Sequence, residues 1–589
     1  MDTTNLKEIT TSVYTFSDLI KNHCLYVDKT AYIYKLLKVT KGQFFCARPR
    51  RFGKSLTIST LEAVFRGRRE LFDGLYLGSA DYDWQVHPVI HIDFTQCVMD
   101  TMPQLQKSLC YQLEEIAKSY GLKLTDDDPA LLFNKLIRAL YDKTDTEVVL
   151  LIDEYDKPVF EHLDNAKDAE LYRNFLSSFY QIIKGAEPIL RFTFLTGVTK
   201  IAKLSVFSKL NHLTDITMRP EFACMFGYTQ QELEANFSAW LDAAVKDGVH
   251  AVLSKDGLLN RTELLTEIKL WYDGFRFSEN AETVYNPISI GKFFLNHHTF
   301  KNFWFETGTP TFLVNLLKRN CLTVPDIDGT LLSESYLDTF DIAELAGTQV
   351  EDERILDLLF QTGYLTVDQL AATLPERLFK MRFPNHEVAY SFARELLSAY
   401  TAPRRPTKYL YELLSAAESG RTEDMVDVWK DFFAGLPYDI QIKAEKYYQS
   451  IIYTICRLCG MDILTEVATN KGRIDAVLDA GKHLYIMEFK LHKTADAALA
   501  QISEKAYAKK YLRPAREKAR SSMPSASTSA MRRRNGRLRS GKKRSFPESP
   551  LSITRSDRPH TQKTASFNTE ERCFGRAMIF YFWCVREFG

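Results

Sequence analysis

With 589 residues the chain exceeds what one hydrophobic core supports, and at roughly 150 residues per domain three or four units are expected. Hydrophobic residues at 45% and charged residues at 26% are ordinary for folded globular protein and exclude a chain disordered throughout. The formal net charge of +1 conceals a basic block: residues 513–544 hold twelve Lys or Arg against one acid, Glu517, so the remainder of the chain is acidic.

The start MDTTNLKEITTSVY has no basic-then-apolar leader pattern, and no stretch approaches the roughly 20 apolar residues of a membrane span. A cytosolic location is expected. The ten cysteines are scattered, which argues against a disulfide framework. Cys456 and Cys459 form a lone CxxC inside the apolar helical run SIIYTICRLCG and read as buried thiols.

In chain order, the first informative run is QFFCARPRRFGKSLTISTLEAVF (43–65). It parses as a short strand at Gln43 to Ala47, a loop, and a helix from about Lys54 with an apolar face of Leu56, Leu61, Val64 and Phe65. That is the setting of a phosphate-binding loop. Gly53 lets the backbone approach a phosphate, Lys54 can reach the β- and γ-phosphates, and Ser55 can offer its hydroxyl to Mg²⁺. The usual loop opens with a glycine where this one has Arg48.

Next come PVIHIDFTQ (88–96), a further strand, and TEVVLLIDEYDKPV, whose apolar run Val148 to Ile152 suits a parallel strand buried on both faces. Asp153 would then sit at the strand's carboxyl end, where it can hold a Mg²⁺ shell, with Glu154 placed to orient or deprotonate a water. A last strand, LRFTFLTGVTK, ends at Thr196 and Gly197, a polar end from which Thr196 could sense the γ-phosphate or merely cap a turn. The strand–helix alternation predicts a parallel sheet.

The segments RPRRFGKSL (48–56), LYVDKTAYIYKLL (25–37), LLIDEYDKPV (150–159) and LTGVTKIAKLSVFSKLNHLTDIT (195–217) together resemble the bacterial AAA-ATPase-like family commonly fused to a PD-(D/E)XK nuclease-type domain. In that family the Arg-Pro-Arg-Arg lead is itself the usual form of the loop. The resemblance extends through WYDGFRF (271–277), YNPISI (285–290), FWFETGTPTFL (303–313) and LLFQTGYLTV (358–367). It implies ATP and Mg²⁺ as ligands, with Arg51, Phe52, Gly53, Lys54, Ser55, Leu56, Asp153 and Thr196 around the nucleotide, Ser55 and Asp153 as metal ligands, and Glu154 catalytic.

The middle of the chain offers little chemistry. Trp271, Tyr272, Phe275 and Phe277 could contact a base but read better as packing, and residues 330–440 show mostly amphipathic helical patterns. A helical lid and connector is expected.

From Glu445 the text parses as a helix (about 445–459), a strand (462–468), a hairpin (474–478 and 483–490) and a helix from about Ala495. Period two puts Glu488 and Lys490 on one face, opposite Tyr485, Met487 and Phe489. A two-residue register would bring Asp475 to the same pole as Glu488, and two converging carboxylates make a hard-oxygen site for Mg²⁺. Lys490 could position the attacking water or stabilise developing charge. A surface hairpin with a cross-strand salt bridge is the alternative. Asp475 followed by Glu488-x-Lys490 is similar to the PD-(D/E)XK arrangement, with Asp475 and Glu488 as metal ligands, Gln501 and Tyr507 as an accessory pair and Glu466 as a further ligand.

After Tyr511 the composition shifts abruptly. Residues 512–589 read either as a disordered basic arm able to bind phosphate backbones or as the product of a shifted reading frame, since the nuclease fold needs another strand and none is visible there. The expectation is an α/β protein: a P-loop NTPase parallel sheet (1–220), a helical middle region (221–440), a PD-(D/E)XK nuclease-like α/β domain (441–511) and the basic tail (512–589). Expected partners are ATP and DNA or RNA, with no membrane; oligomeric state is left open. The rival function is a nucleotide-regulated binding or scaffold protein whose nuclease fold is inactive.

Overall fold

The computed structural model describes residues 7–163, 165–201, 213–250, 258–304, 329–337, 350–373, 375–400, 406–434, 445–459, 461–469, 472–480, 483–491 and 578–587, together with Leu313, Leu316 and Ile327. Contacts divide the chain into two compact units, residues 1–403 with 437–460, and residues 404–436 with 461–589.

The first unit is built on five parallel strands, β1 (Gly42–Ala47), β2 (Val89–Asp93), β3 (Val148–Asp153), β4 (Leu190–Gly197) and β5 (Thr214–Asp215), in the order β2-β3-β4-β1-β5. Every residue of β1 and β3 is buried. Strands covered on both faces carry continuous apolar runs, which is why VVLLI shows no alternation. The crossovers are helices α1 (Lys54–Phe65), α2 (Met102–Ser119), α3 (Pro129–Thr144) and α4 (Ala166–Ala186). Their starts are written in the sequence: the Asp128 carboxylate accepts from the Ala130 and Leu131 amides, and Thr101 with Gln104 forms a capping box.

Beyond β5, a second core joins residues of helices α5 (Arg261–Tyr272) and α6 (Pro287–Leu295) with Leu233, Phe237, Phe300 and Phe303. Among the helices of 330–440 stands a three-stranded antiparallel sheet that the helical patterns did not announce, β6 (Leu331–Ser333), β7 (Thr366–Ala372) and β8 (Leu378–Arg382), in the order β6-β8-β7. Strand β7 follows Gly363. There helix α7 (Asp352–Thr362) stops at φ +89°, a left-handed cap that glycine adopts without steric cost, and the chain leaves as a strand. Helix α8 (His386–Tyr400) follows.

The second unit holds helices α9 (Pro406–Glu418) and α10 (Thr422–Ala434) and an antiparallel sheet of β9 (Asp462–Thr469), β10 (Gly472–Asp479), β11 (His483–Leu491) and β12 (Met578–Glu587) in the order β12-β11-β10-β9. Helix α11 (Glu445–Leu458), adjoining β9 in sequence, packs with α8 in the first unit. The expectation that no strand follows residue 511 is overturned by β12, which pairs with β11 from Met578↔Leu491 to Glu587↔His483. The aromatic, apolar run MIFYFWCVRE has high strand propensity; the composition of the basic block before it hid this signal. The helix expected from about Ala495, with Gln501 and Tyr507, lies outside the described residues.

Candidate functional site

The loop between β1 and α1 places Arg51, Gly53 and Lys54 at the start of the helix. Gly53 caps α1 at φ +92°, in the left-handed region, and Arg51 is also left-handed at φ +69°. This geometry turns the chain sharply into the helix, whose first amides are free of helical partners. The Lys54 side chain is almost fully buried. Its Nζ donates to the Arg48 carbonyl at 3.1 Å and the Pro49 carbonyl at 3.3 Å, and pairs with Glu154 Oε1 at 3.1 Å.

Asp153 ends β3 beside this lysine. Its buried carboxylate accepts the Glu154 amide at 3.0 Å and lies near enough to the Ser55 hydroxyl to be stabilised by it. Burial, and then the neighbouring Glu154, push its pKa up to about 6 against the pull of Ser55 and Lys54. Glu154 stands at φ +51°, an uncommon conformation for a side-chain-bearing residue and one that functional sites retain. Ser55, Lys54, Asp153 and Glu154 thus form one cluster at the carboxyl ends of β1 and β3, where ligands of open α/β sheets bind.

Thr196 lies on β4 between those strands, opposite Cys46. It is fully buried, and its Oγ1 has no hydrogen-bond partner among the described residues. Beside it, Asp156 accepts from the Val198 amide and from both the amide and hydroxyl of Thr199, at 2.6 and 2.7 Å for the last two. It thereby ties the turn carrying Glu154 to the end of β4.

Three of the loop's side chains face the protein. The Arg48 guanidinium is buried, donates to the carbonyls of Ala47, Thr217 and Phe222, and lies 4.2 Å from the Phe277 ring centre. Phe52, 1% exposed, packs edge-on against Phe275 and Phe277. The Arg51 guanidinium donates to the Phe303 carbonyl at 2.6 Å, and Trp304 Nε1 to the Arg50 carbonyl. Leu56 follows in the first turn of α1, half-buried. Phe275 and Phe277 therefore anchor the loop, while Trp271 and Tyr272 belong to the second core.

Sequence reasoning missed two acids here. Asp93 ends β2 level with Asp153; a polar residue closing an apolar strand was the available signal. Glu387, fully buried, accepts from the Trp304 amide and the Ser289 hydroxyl, and burial pushes its pKa up to about 8. Nothing local in its helix announces that role.

In the second unit, β10 and β11 pair Ala476 with Met487, and one step further along the same ladder stand Asp475 and Glu488. On the other side β10 pairs Ile474 with Val467 and Ala476 with Thr465, leaving Glu466 level with Asp475. Three acidic positions thus fall in one row across three strands. Arg473 and Lys490 lie two rows on. Tyr485, Ile486 and Met487 are all buried, so β11 is covered on both faces over this stretch. Two carboxylate positions on neighbouring strands suit a hard cation.

Cys24, Cys46, Cys97, Cys110, Cys224, Cys456 and Cys459 are free thiols, and burial raises both Cys456 and Cys459, the latter to about 12. No described helix is long and apolar enough to cross a membrane.

Comparison with known proteins agrees with this layout. A family model described as "Predicted AAA-ATPase" matches residues 10–207, and one described as "PD-(D/E)XK nuclease superfamily" matches residues 443–524. Over 518 residues the chain is 32% identical to the "Uncharacterized protein in vnfD 5'region" of Azotobacter chroococcum mcd 1, covering 86% of this chain and 94% of that protein.

Proposed function

Because the chain belongs to the family that joins a predicted AAA-ATPase to a PD-(D/E)XK nuclease superfamily domain, we propose that it binds and hydrolyses ATP with Mg²⁺ at the loop 48–55 and acts on DNA or RNA through its C-terminal domain. The observation that carries the first half is the meeting of Lys54, Ser55, Asp153 and Glu154 at one end of the sheet. A buried carboxylate beside a hydroxyl is a hard-oxygen donor set of the kind magnesium takes, so the residues fit the ion.

In this reading Lys54 leaves Glu154 and the loop carbonyls for the β- and γ-phosphates, and the amides of Gly53, Lys54, Ser55 and Leu56 cradle the same anion. Ser55 and Asp153 would hold a magnesium ion, which would neutralise charge developing on the phosphates. Release of Lys54 frees Glu154 to orient the attacking water, and the partnerless Thr196 hydroxyl meets the terminal phosphate. Arg51 and Phe52 contribute backbone only, since their side chains are held by Phe303, Phe275 and Phe277.

In the C-terminal domain Asp475 and Glu488 serve as metal ligands, with Lys490 beside the attacked phosphodiester. Calorimetric titration with ATP tests the first half: Lys54→Ala should abolish binding, and unchanged affinity refutes the assignment. Incubation of labelled DNA and RNA with Mg²⁺ or Mn²⁺ tests the second. Cleavage by the wild type but not by Asp475→Ala is expected; absence of cleavage by either removes the nuclease.

A further inference from the structure

A cavity of about 400 Å³ opens at the carboxyl ends of β1 and β5. Arg48 and Pro49 line it, and the carbonyls of these same two residues accept from Lys54 Nζ. The cavity therefore starts at the peptide units that hold the phosphate lysine. Its other walls include Met218, from the segment after β5, with Phe277 and with Phe360 and Gln361 of α7. We propose that this cavity receives the purine base of the nucleotide whose triphosphate lies on residues 53–56. This rests on the reading of that loop as an ATP site.

The walls carry the chemistry. Proline, methionine and two phenylalanines offer flat apolar surface, and aromatic rings bind bases through their π-faces. Among the described residues six polar side chains join them, and of these Arg219 is about half exposed. Lys200 Nζ pairs with Asp215 at 2.6 Å, and the Lys200 amide donates to Gln361 Oε1 at 2.7 Å, so neither side chain is a loose anion trap. Arg48 supplies the second, independent observation. It is fully buried, no carboxylate among the described residues lies within ion-pair distance of it, and its Nε has no acceptor among them. A desolvated donor of this kind calls for an acceptor. The ring nitrogens of a purine are acceptors on a flat apolar body, whereas a bare anion gains nothing from the phenylalanine walls and a metal ion is repelled by the guanidinium. An apolar slot with a few convergent polar groups is also the usual form of a small-molecule site.

The base and the triphosphate can be separated experimentally. Binding of ATP and of inorganic tripolyphosphate, each with Mg²⁺, should be measured on the full chain and on Met218→Trp, which fills the cavity from a half-buried wall position outside the loop. The expected result is an affinity for ATP lower by about tenfold or more, with tripolyphosphate binding within about twofold of wild type. Equal effects on both probes, or no effect on ATP, overturn the base site while leaving the phosphate loop standing. Failure of the wild type to bind either probe overturns both. Should the variant not fold, photolabelling of the wild type with 8-azido-ATP decides. Label on the peptides carrying Met218, Phe277 or Phe360 supports the site, and label confined to other peptides overturns it.

Discussion

Asp153 combines two demands that oppose each other. A carboxylate at the end of a buried strand, next to Glu154 and level with Asp93, is costly to ionise, and its pKa rises to about 6. A carboxyl whose folded-state value lies above its unfolded one contributes stability at low pH and loses that contribution as pH rises through the folded value. The ligand-free protein should therefore lose stability between about pH 4 and pH 6 from this group. Asp153→Asn keeps the shape and an acceptor for Ser55 while removing the charge. At pH 8, without nucleotide, it should raise stability by about 1–3 kcal/mol, read as a higher midpoint in thermal or urea unfolding, and should abolish magnesium-dependent ATP binding. A lower midpoint would mean that Asp153 is held by more than the lysine and hydroxyl seen beside it. The sequence marked Asp153 and Glu154 because both follow an apolar run. It could not mark the ion pair from Lys54 to Glu154, which depends on two strands separated by β4.

At the scale of elements, the loop 48–53 is fixed from outside as much as from within. Phe52 inserts between Phe275 and Phe277, Arg51 reaches the Phe303 carbonyl, and Trp304 closes on the Arg50 carbonyl. Removing the Phe52 ring leaves a cavity in a closed aromatic cluster. Phe52→Ala should destabilise the first unit by about 3–5 kcal/mol. It should also weaken ATP binding, since the loop loses its anchor while Lys54 and Ser55 remain. Chemical denaturation and titration on the same variant check both; a stability change without loss of affinity would show that the loop holds its shape alone. The aromatic run 271–277 was legible as packing, but its partner was not: Phe52 and Phe275 are more than two hundred positions apart, and no local period encodes such a contact.

For the whole molecule, the two compact units predict separable unfolding. The sheet of the second unit ends at β12, and β11 depends on that strand for the hydrogen bonds along one side. A chain ending at residue 577 should leave β11 as an open edge prone to pairing with other copies. Its second unit should melt earlier or aggregate, with ATP affinity unchanged. Coincident melting curves for the two lengths would show that 578–587 adds nothing to the sheet.

What the amino-acid order determined by itself was local: the buried parallel strands from their continuous apolar runs, the helix starts from their caps, the glycine-lysine-serine turn, and the acids at strand ends. Each is set by a few neighbouring residues. The tertiary structure alone decided how the strand ends of the first sheet meet, that Arg48 turns inward beneath Phe277, that Glu466 stands level with Asp475, and that a strand from beyond the basic block completes the second sheet. Those outcomes depend on strand order and register, which arise from burial summed over the fold and leave no signature in any single stretch of chain.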